Sequence, residues 1–151
     1  MELALKQLSE CPEHLETVGL WIHNEWWSKR YDSPEVVLSW LRTHKKLDAV
    51  PYSVVALAEG EPVGSCCVIE NDCIHRPQYT PWVAAVYVRP EFRRRGIAEA
   101  LTRRLASEMH ARGNDGVFLM AAGDREARIY ERAGFATVSE ILHISAGRSR
   151  S

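Results

Sequence analysis

The sequence predicts an α/β fold in a single domain. Length is the first reason, because 151 residues suit one domain and leave little room for a second. Hydrophobic periodicity is the second: apolar residues switch repeatedly between helical spacing and short buried runs. The third is what is missing, since no internal repeat, low-complexity tract or linker interrupts the alternation. Residues 1–145 are expected to form the domain and 146–151 a flexible tail.

Each element follows from local signals. Leu3 to Leu8 reads as a first strand. Pro12 opens a helix, as proline tolerates the first turn, and Leu15, Val18, Ile22 and Trp26 lay one apolar face along it. Ser33 and Pro34 start a second helix, as N-cap and first helical residue, which runs through Val37, Trp40 and Leu41 towards Lys46. Tyr52–Ala58 is a strand, Glu59-Gly60-Glu61-Pro62 a hairpin turn, and Val63–Ile69 the partner strand. Residues 70–81 form a polar loop of a length at which loops tend to be functional. Trp82–Val88 is nearly continuous in apolar residues, which suits a strand buried on both faces.

A long helix follows from Gly96, with Ile97, Leu101, Leu105 and Met109 in register every fourth residue. Gly113 to Gly116 breaks it, and Val117–Ala121 is a short buried strand. Asp124 is expected to cap a last helix through Tyr130 that stops at Gly134. Residues 135–138 and 140–145 read as closing strands.

Composition bounds the function. Hydrophobic and charged fractions of 46% and 26% are those of an ordinary soluble protein. No apolar run approaches the roughly 20 residues of a membrane helix. The N-terminus has no basic region followed by an apolar core, so no secretory signal is expected and the cytoplasm is the expected location. Cys11, Cys66, Cys67 and Cys73 include no CxxC pair, and adjacent strand residues point to opposite faces, so packed thiols in a reducing compartment are expected and no metal site. Charge is uneven: residues 1–75 carry 6 Lys+Arg against 12 Asp+Glu, whereas 76–151 carry 13 Arg and no lysine against 8 acids. That balance suits an anionic ligand on the second half and a cationic one on the first, or a solvated surface with no partner.

The central motif is a buried strand, a turn, three arginines, a glycine and a helix. A helix start presents unpaired N–H groups and the positive end of its dipole, where phosphate oxygens bind. Gly96 removes a Cβ from that turn, and successive N–H groups there make an anion-binding concavity. The spacing is neither GxxxxGK[ST] nor GxGxxG. A nucleic-acid patch is disfavoured because no aromatics interleave the arginines.

Arg93-Arg94-Arg95-Gly96-Ile97-Ala98 resembles the [Q/R]xxGx[G/A] fingerprint of the GNAT superfamily of acyl-CoA-dependent N-acetyltransferases. Tyr130 four residues before Gly134-Phe135 meets that family's second signature, and the resemblance covers nearly the whole chain. It implies a mixed, mostly antiparallel sheet of about six to seven strands with about four helices, splayed between strands 4 and 5. It further implies acetyl-CoA as co-substrate with no metal. Backbone groups of Val86, Tyr87 and Val88 would pair with the pantetheine arm, and Arg93, Arg94, Arg95, Gly96, Ile97, Ala98 and Glu99 would cradle the pyrophosphate.

The resemblance makes Tyr130 the proton donor to the leaving sulfur, and the N–H of Val86 an oxyanion-type contact. Relatives carry a carboxylate on the fourth or fifth strand, but Trp82–Val88 and Val117–Ala121 contain none. Glu70 and Asp72 are the nearest acidic candidates for the base, beside a base acting through water or none at all. Gly123 stands where relatives often have Asn, so that contact to CoA is missing or taken over by Asp124. Trp26, Trp27, Tyr31 and Trp82 are candidates to bind the acceptor, with Trp21 clustered alongside and Glu25, Asp32, Glu70 and Asp72 in neighbouring segments. Aromatics with carboxylates suit a small cationic amine. Alternatives are a peptide or protein amine, and an acyl-CoA-binding sensor with little catalysis. Neither nucleic acid nor a membrane is an expected partner, and a homodimer is compatible with the resemblance.

Overall fold

The computed structural model describes residues 2–44, 50–72, 75–138 and 141–145, with 137–138 and 141–145 described by their backbone alone. Its strands are β1 (Leu3–Gln7), β2 (Tyr52–Ala58), β3 (Glu61–Ile69), β4 (Trp82–Val88), β5 (Gly116–Leu119), β6 (Ala136–Val138) and β7 (Ile141–Ser145). They join in one seven-stranded sheet ordered β1-β2-β3-β4-β5-β7-β6. Only the β4–β5 pairing is parallel, so the sheet is mixed and mostly antiparallel as expected. Four helices flank it: α1 (Leu15–Ile22), α2 (Glu35–Leu41), α3 (Ile97–Ala111) and α4 (Asp124–Arg132). The predicted tail, 146–151, and Cys73 lie outside the described residues.

Side-chain alternation splits the interior into two cores. Tyr52, Val54, Ala56, Cys66, Val68 and Val83 pack with Leu101, Leu105, Met109 and Tyr130, on the α3 and α4 side. Val55, Leu57 and Cys67 pack with Val18, Ile22, Val37 and Leu41, on the α1 and α2 side. Burial on both faces is why β2 shows no polar alternation, its seven residues all being buried.

Several boundaries shift for local reasons. Pro12–His14 forms a 3₁₀ turn before α1 begins. After Ile22 the chain widens into a π-helical turn over His23–Trp27, which carries Trp26 off the predicted apolar face and leaves it 47% exposed. Ser33 does act at the start of α2, its hydroxyl accepting the Glu35 N–H at 3.2 Å. The described helix ends at Leu41, and Lys46 lies outside the described residues. The β2–β3 turn tightens to Glu59 and Gly60, both at positive φ, with Glu61 and Pro62 already in β3. Two such residues match the twist of a hairpin. Asp124 is the first residue of α4 rather than its cap, which is Gly123.

Helix α3 is tied to the sheet by polar contacts as well as by its core face. The Tyr52 hydroxyl donates to Glu108 at 2.6 Å, Glu108 also pairs with Arg104, and Arg104 reaches the Leu5 carbonyl at 3.3 Å. At Gly64 a Cβ would lie 2.9 Å from the Tyr87 carbonyl oxygen and 3.2 Å from Ile97. Glycine there lets β3, β4 and the start of α3 close on one another.

On the other face, His44 is buried beneath α2. Its Nδ1 lies 2.6 Å from the Ser53 hydroxyl, and Ser53 lies 3.2 Å from the Cys67 sulfur. Burial lowers the imidazole to about 4 from its ordinary 6.5. A histidine held neutral in the fold stabilises it fully above the unfolded value, and that contribution is lost as pH falls through the folded one. Stability should therefore drop by about 1.5 kcal/mol between pH 6.5 and 5, above the range of ordinary carboxylates. His44→Gln, which carries no titrating charge, should flatten that window in urea unfolding. An unchanged slope would assign the dependence to another group.

Candidate active site

Strands β4 and β5 touch over only two residue pairs, Trp82 with Phe118 and Val83 with Leu119. Strand β4 runs on to Val88, so Ala84 to Val88 extend past the register with β5. Their departure coincides with a β-bulge. Ser65 pairs with Tyr87 and Cys67 with Ala84, so Ala85 and Val86 stand against the single residue Cys66. Ala85 takes φ 53°, a left-handed conformation that alanine seldom adopts. A bulge bends its strand and re-aims backbone groups. The expected fully buried strand is thus opened at its centre, where Ala85, Val86 and Tyr87 are half-buried. This leaves an edge on the β5 side along which an extended ligand can add like a strand.

Beyond β4, Pro90–Phe92 makes a 3₁₀ turn that leads into the arginine loop. Arg94 and Gly96 have φ 64° and 78°, with extended Arg93 before them. Alternation of this kind turns successive N–H groups to one side. The first bond of α3 runs from the Ala100 N–H to the Gly96 carbonyl at 3.0 Å, so Ile97, Ala98 and Glu99 hold helix N–H groups ahead of the ladder. A Cβ on Gly96 would meet nothing within 4 Å, so space remains over the loop for an anion.

The three arginines are not equivalent. Arg93 donates from Nε to the Val88 carbonyl at 2.8 Å and lies 5.8 Å from the Tyr87 ring centre, bracing β4. Arg95 and Arg89 both stack on Phe92, at 5.3 and 5.2 Å. Arg94 is exposed on the left-handed residue itself. Glu99, whose carboxylate would repel a phosphate, is drawn aside by Arg103 at 2.9 Å.

Tyr130 sits in the α3-side core, on α4, with 7% of its surface exposed. Phe135 meets its ring edge-on at 6.4 Å. Burial, then the Cys66 and Glu126 charges, push the phenol up to about 12. It therefore keeps its proton throughout the physiological range. Glu70 and Asp72 follow β3 on exposed chain. Loss of hydration raises the Asp72 carboxyl, and its charge in turn contributes to raising the Cys67 thiol, which burial pushes to about 12. Cys11, Cys66 and Cys67 are buried free thiols, none placed as a nucleophile.

The predicted acceptor aromatics divide. Trp27 and Tyr31 face each other at 6.0 Å, but Arg30 already lies 5.8 and 5.6 Å from their ring centres. Trp82 is wholly buried, donating its indole N–H to the Tyr79 carbonyl at 2.6 Å, and so supports the site from beneath rather than lining it. Trp21, which the sequence groups with these aromatics, and the pair Tyr79 and Phe118, which it does not mark, form two further stacks. Trp21 stacks on Tyr87 at 5.2 Å, and Tyr79 stacks on Phe118 at 4.4 Å. Alternation about Leu119 and Val117 could have marked Phe118; nothing in the sequence marked the bulge at Ala85.

A left-handed anion loop at a helix start stands beside parted parallel strands, an arrangement that suits a ligand with a phosphate end and an extended arm. The chain belongs to the acetyltransferase (GNAT) family, whose family model matches residues 18–135. It is an acyltransferase by that membership. A search of curated proteins finds no match. Among solved structures it is similar to an aminoglycoside 6'-N-acetyltransferase complexed with coenzyme A, at 13% identity and TM-score 0.73 over 98% of this chain and 99% of that one. It is also similar to yncA from Salmonella typhimurium with its cofactor acetyl-CoA, at 14% identity and TM-score 0.72 over 100% and 98% of the two chains. A spermidine N-acetyltransferase chimera from Vibrio cholerae and hSSAT matches at 19% identity and TM-score 0.69, over 96% of each chain. At these identities the likeness is one of fold.

Replacing Gly96 with Val puts a branched side chain at φ 78° and into the space over the loop. Acetyl-CoA affinity should fall tenfold or more, about 1.4 kcal/mol, with a native circular dichroism spectrum. Calorimetry giving unchanged affinity in the folded variant would remove the loop from the cofactor site.

Proposed function

We propose that residues 1–145 form a cytoplasmic N-acetyltransferase that moves an acetyl group from acetyl-CoA directly to a primary amine on a small cationic molecule. The observation that carries this reading is the pairing of the Arg94–Gly96 loop with the open edge of β4 after Ala85. One feature suits a pyrophosphate and the other an extended amide-bearing arm, and both lie on one continuous stretch of chain. Family membership supports the reaction type. The relatives named for aminoglycosides and spermidine support a small amine as acceptor.

Acetyl-CoA supplies the activated acetyl group when bound. The N–H groups of Arg94 to Glu99 hold its pyrophosphate, with Arg94 and Arg95 adding screened charge attraction. Backbone groups of Val86, Tyr87 and Val88 hold the arm, and the Val86 N–H polarises the carbonyl as an oxyanion-type donor. Asp72 is the better placed of the two acids to take a proton from the amine, since its raised pKa brings it nearer the working pH. Tyr130 holds the proton for the leaving sulfur. A second reading, an acyl-CoA-binding module with little catalysis, is favoured by one fact: β4 and β5 carry no carboxylate. Thiol release from acetyl-CoA across an amine panel separates the two.

Tyr130→Phe keeps the ring and its contact with Phe135 while removing the proton donor. Turnover should fall by about 100-fold or more, the usual range for a positioned acid, with little change in the acetyl-CoA dissociation constant. With the phenol near 12, an alkaline limb of the rate profile below about pH 10 belongs to another group and should persist in the variant. Near wild-type turnover in a stable Phe variant, on an acceptor whose chemistry limits the rate, would return Tyr130 to packing.

A further inference from the structure

One aromatic ring, that of Tyr87, meets two separate elements. Tyr87 stands on the open part of β4, past the bulge and past the register with β5. Its side chain takes the α1 side, because its partner Ser65 pairs in turn with Val55, which belongs to the α1-side core. There Trp21 of α1 stacks on it, with ring centres 5.2 Å apart and planes 26° apart. The Arg93 guanidinium lies over the same ring at 5.8 Å, while its Nε donates to the Val88 carbonyl at 2.8 Å. Tyr87 therefore contacts helix α1 and the first arginine of the anion loop together, through stacking on one and cation–π attraction to the other.

The α1 side is also where the interior is least satisfied. His23 Nδ1, His44 Nε2 and Ser65 Oγ are buried with no hydrogen-bond partner among the described residues. His23 begins the π-helical turn that ends α1, His44 follows α2, and Ser65 lies beside Tyr87. Buried polar groups are as a rule paired, and leaving one unpaired is costly. On the α3 side the Tyr52 hydroxyl donates to Glu108 and the Thr102 hydroxyl to the Ala98 carbonyl. Exposed apolar side chains mark the α1 layer too, with Leu20, Trp26, Trp27 and Val36 on α1, its exit or α2. A Cβ on Gly19 would run into the Leu38 side chain, so α1 and α2 fit closely against each other. The two helices are tightly joined as a pair and incompletely satisfied against the sheet.

We propose that Trp21 is a positioning residue: through Tyr87 it ties α1 to the strand and loop that hold acetyl-CoA, so that cofactor binding sets α1. This rests on the acetyltransferase reading and adds to it a residue and a route of coupling. An arm lying along β4 gives the open edge a partner and fixes Tyr87, and a pyrophosphate on the loop fixes Arg93. Both constrain the ring on which Trp21 rests. An α1 already ordered by acetyl-CoA leaves less for the acceptor to order when it binds.

Hydrogen exchange with and without saturating acetyl-CoA tests this, read from Gly19 to Trp27 and from Arg94 to Glu99. In the wild type both stretches should exchange more slowly on binding, the first by about fivefold or more, the lower end of couplings between sites. Trp21→Leu should abolish the response in α1 and keep it in the loop. Trp21→Phe, which can still stack, should keep both. A tryptophan that merely packs would speed α1 exchange in the Leu variant equally with and without acetyl-CoA, leaving the difference intact. Should that variant melt, Tyr87→Leu removes the same stack from the strand side and should give the same pattern. Loop protection without α1 protection in the wild type overturns the role of Trp21 and leaves the acetyltransferase reading standing. An undiminished α1 response in either folded Leu variant does the same. Protection of neither stretch in the wild type overturns both.

Discussion

The site depends on how early β4 and β5 stop pairing. Two parallel residue pairs hold them, and then the bulge at Ala85 and Val86 bends β4 out of reach. A sheet interior normally satisfies each strand on both edges, since an unpaired buried backbone group is costly. Here the central strand keeps β3 on one edge and gives up β5 on the other. The left-handed Ala85 is the local cost of that arrangement, and strain of this kind concentrates where a ligand completes the structure.

Much of the surrounding packing serves to keep that opening fixed. Gly64 allows β3 to press against the Tyr87 carbonyl and against Ile97 at once, joining the open strand to the first turn of α3. Arg93 braces the same strand through the Val88 carbonyl, so it acts on the site by holding β4 as well as by its charge. Helix α3 is held at its far end by the contact of Glu108 with Tyr52, which sets the direction in which its N-terminus points. The anion loop and the strand edge are consequently parts of one rigid arrangement.

The periodicity of apolar residues made the element order legible, because burial follows it directly. Ile97, Leu101, Leu105 and Met109 are all in the α3-side core, and the two-sided burial of β2 matches its unbroken apolar run. The glycine of the anion loop was legible too, since φ 78° is a conformation that selects glycine. Ala85 was not, because alanine gives no signal of positive φ and the bulge arises from the pairing of two strands. Trp26 and Trp82 differ from their reading for opposite reasons. A π-helical turn exposes the first, and the second is covered on every side. The stacked pairs Trp21–Tyr87 and Tyr79–Phe118 join residues remote in sequence, which no local pattern marks.

The claim at the centre of this account is that the β5-side edge of β4, beyond Ala85, is where acetyl-CoA lies. Hydrogen exchange of backbone amides with and without acetyl-CoA tests it most directly, read at peptides spanning 84–100. The account predicts slower exchange on binding at Val86 to Val88 and at Arg94 to Glu99 together, with β1 and β2 unchanged. Saturating acetyl-CoA that protects neither stretch, or protects the loop while β4 exchanges as before, would contradict it.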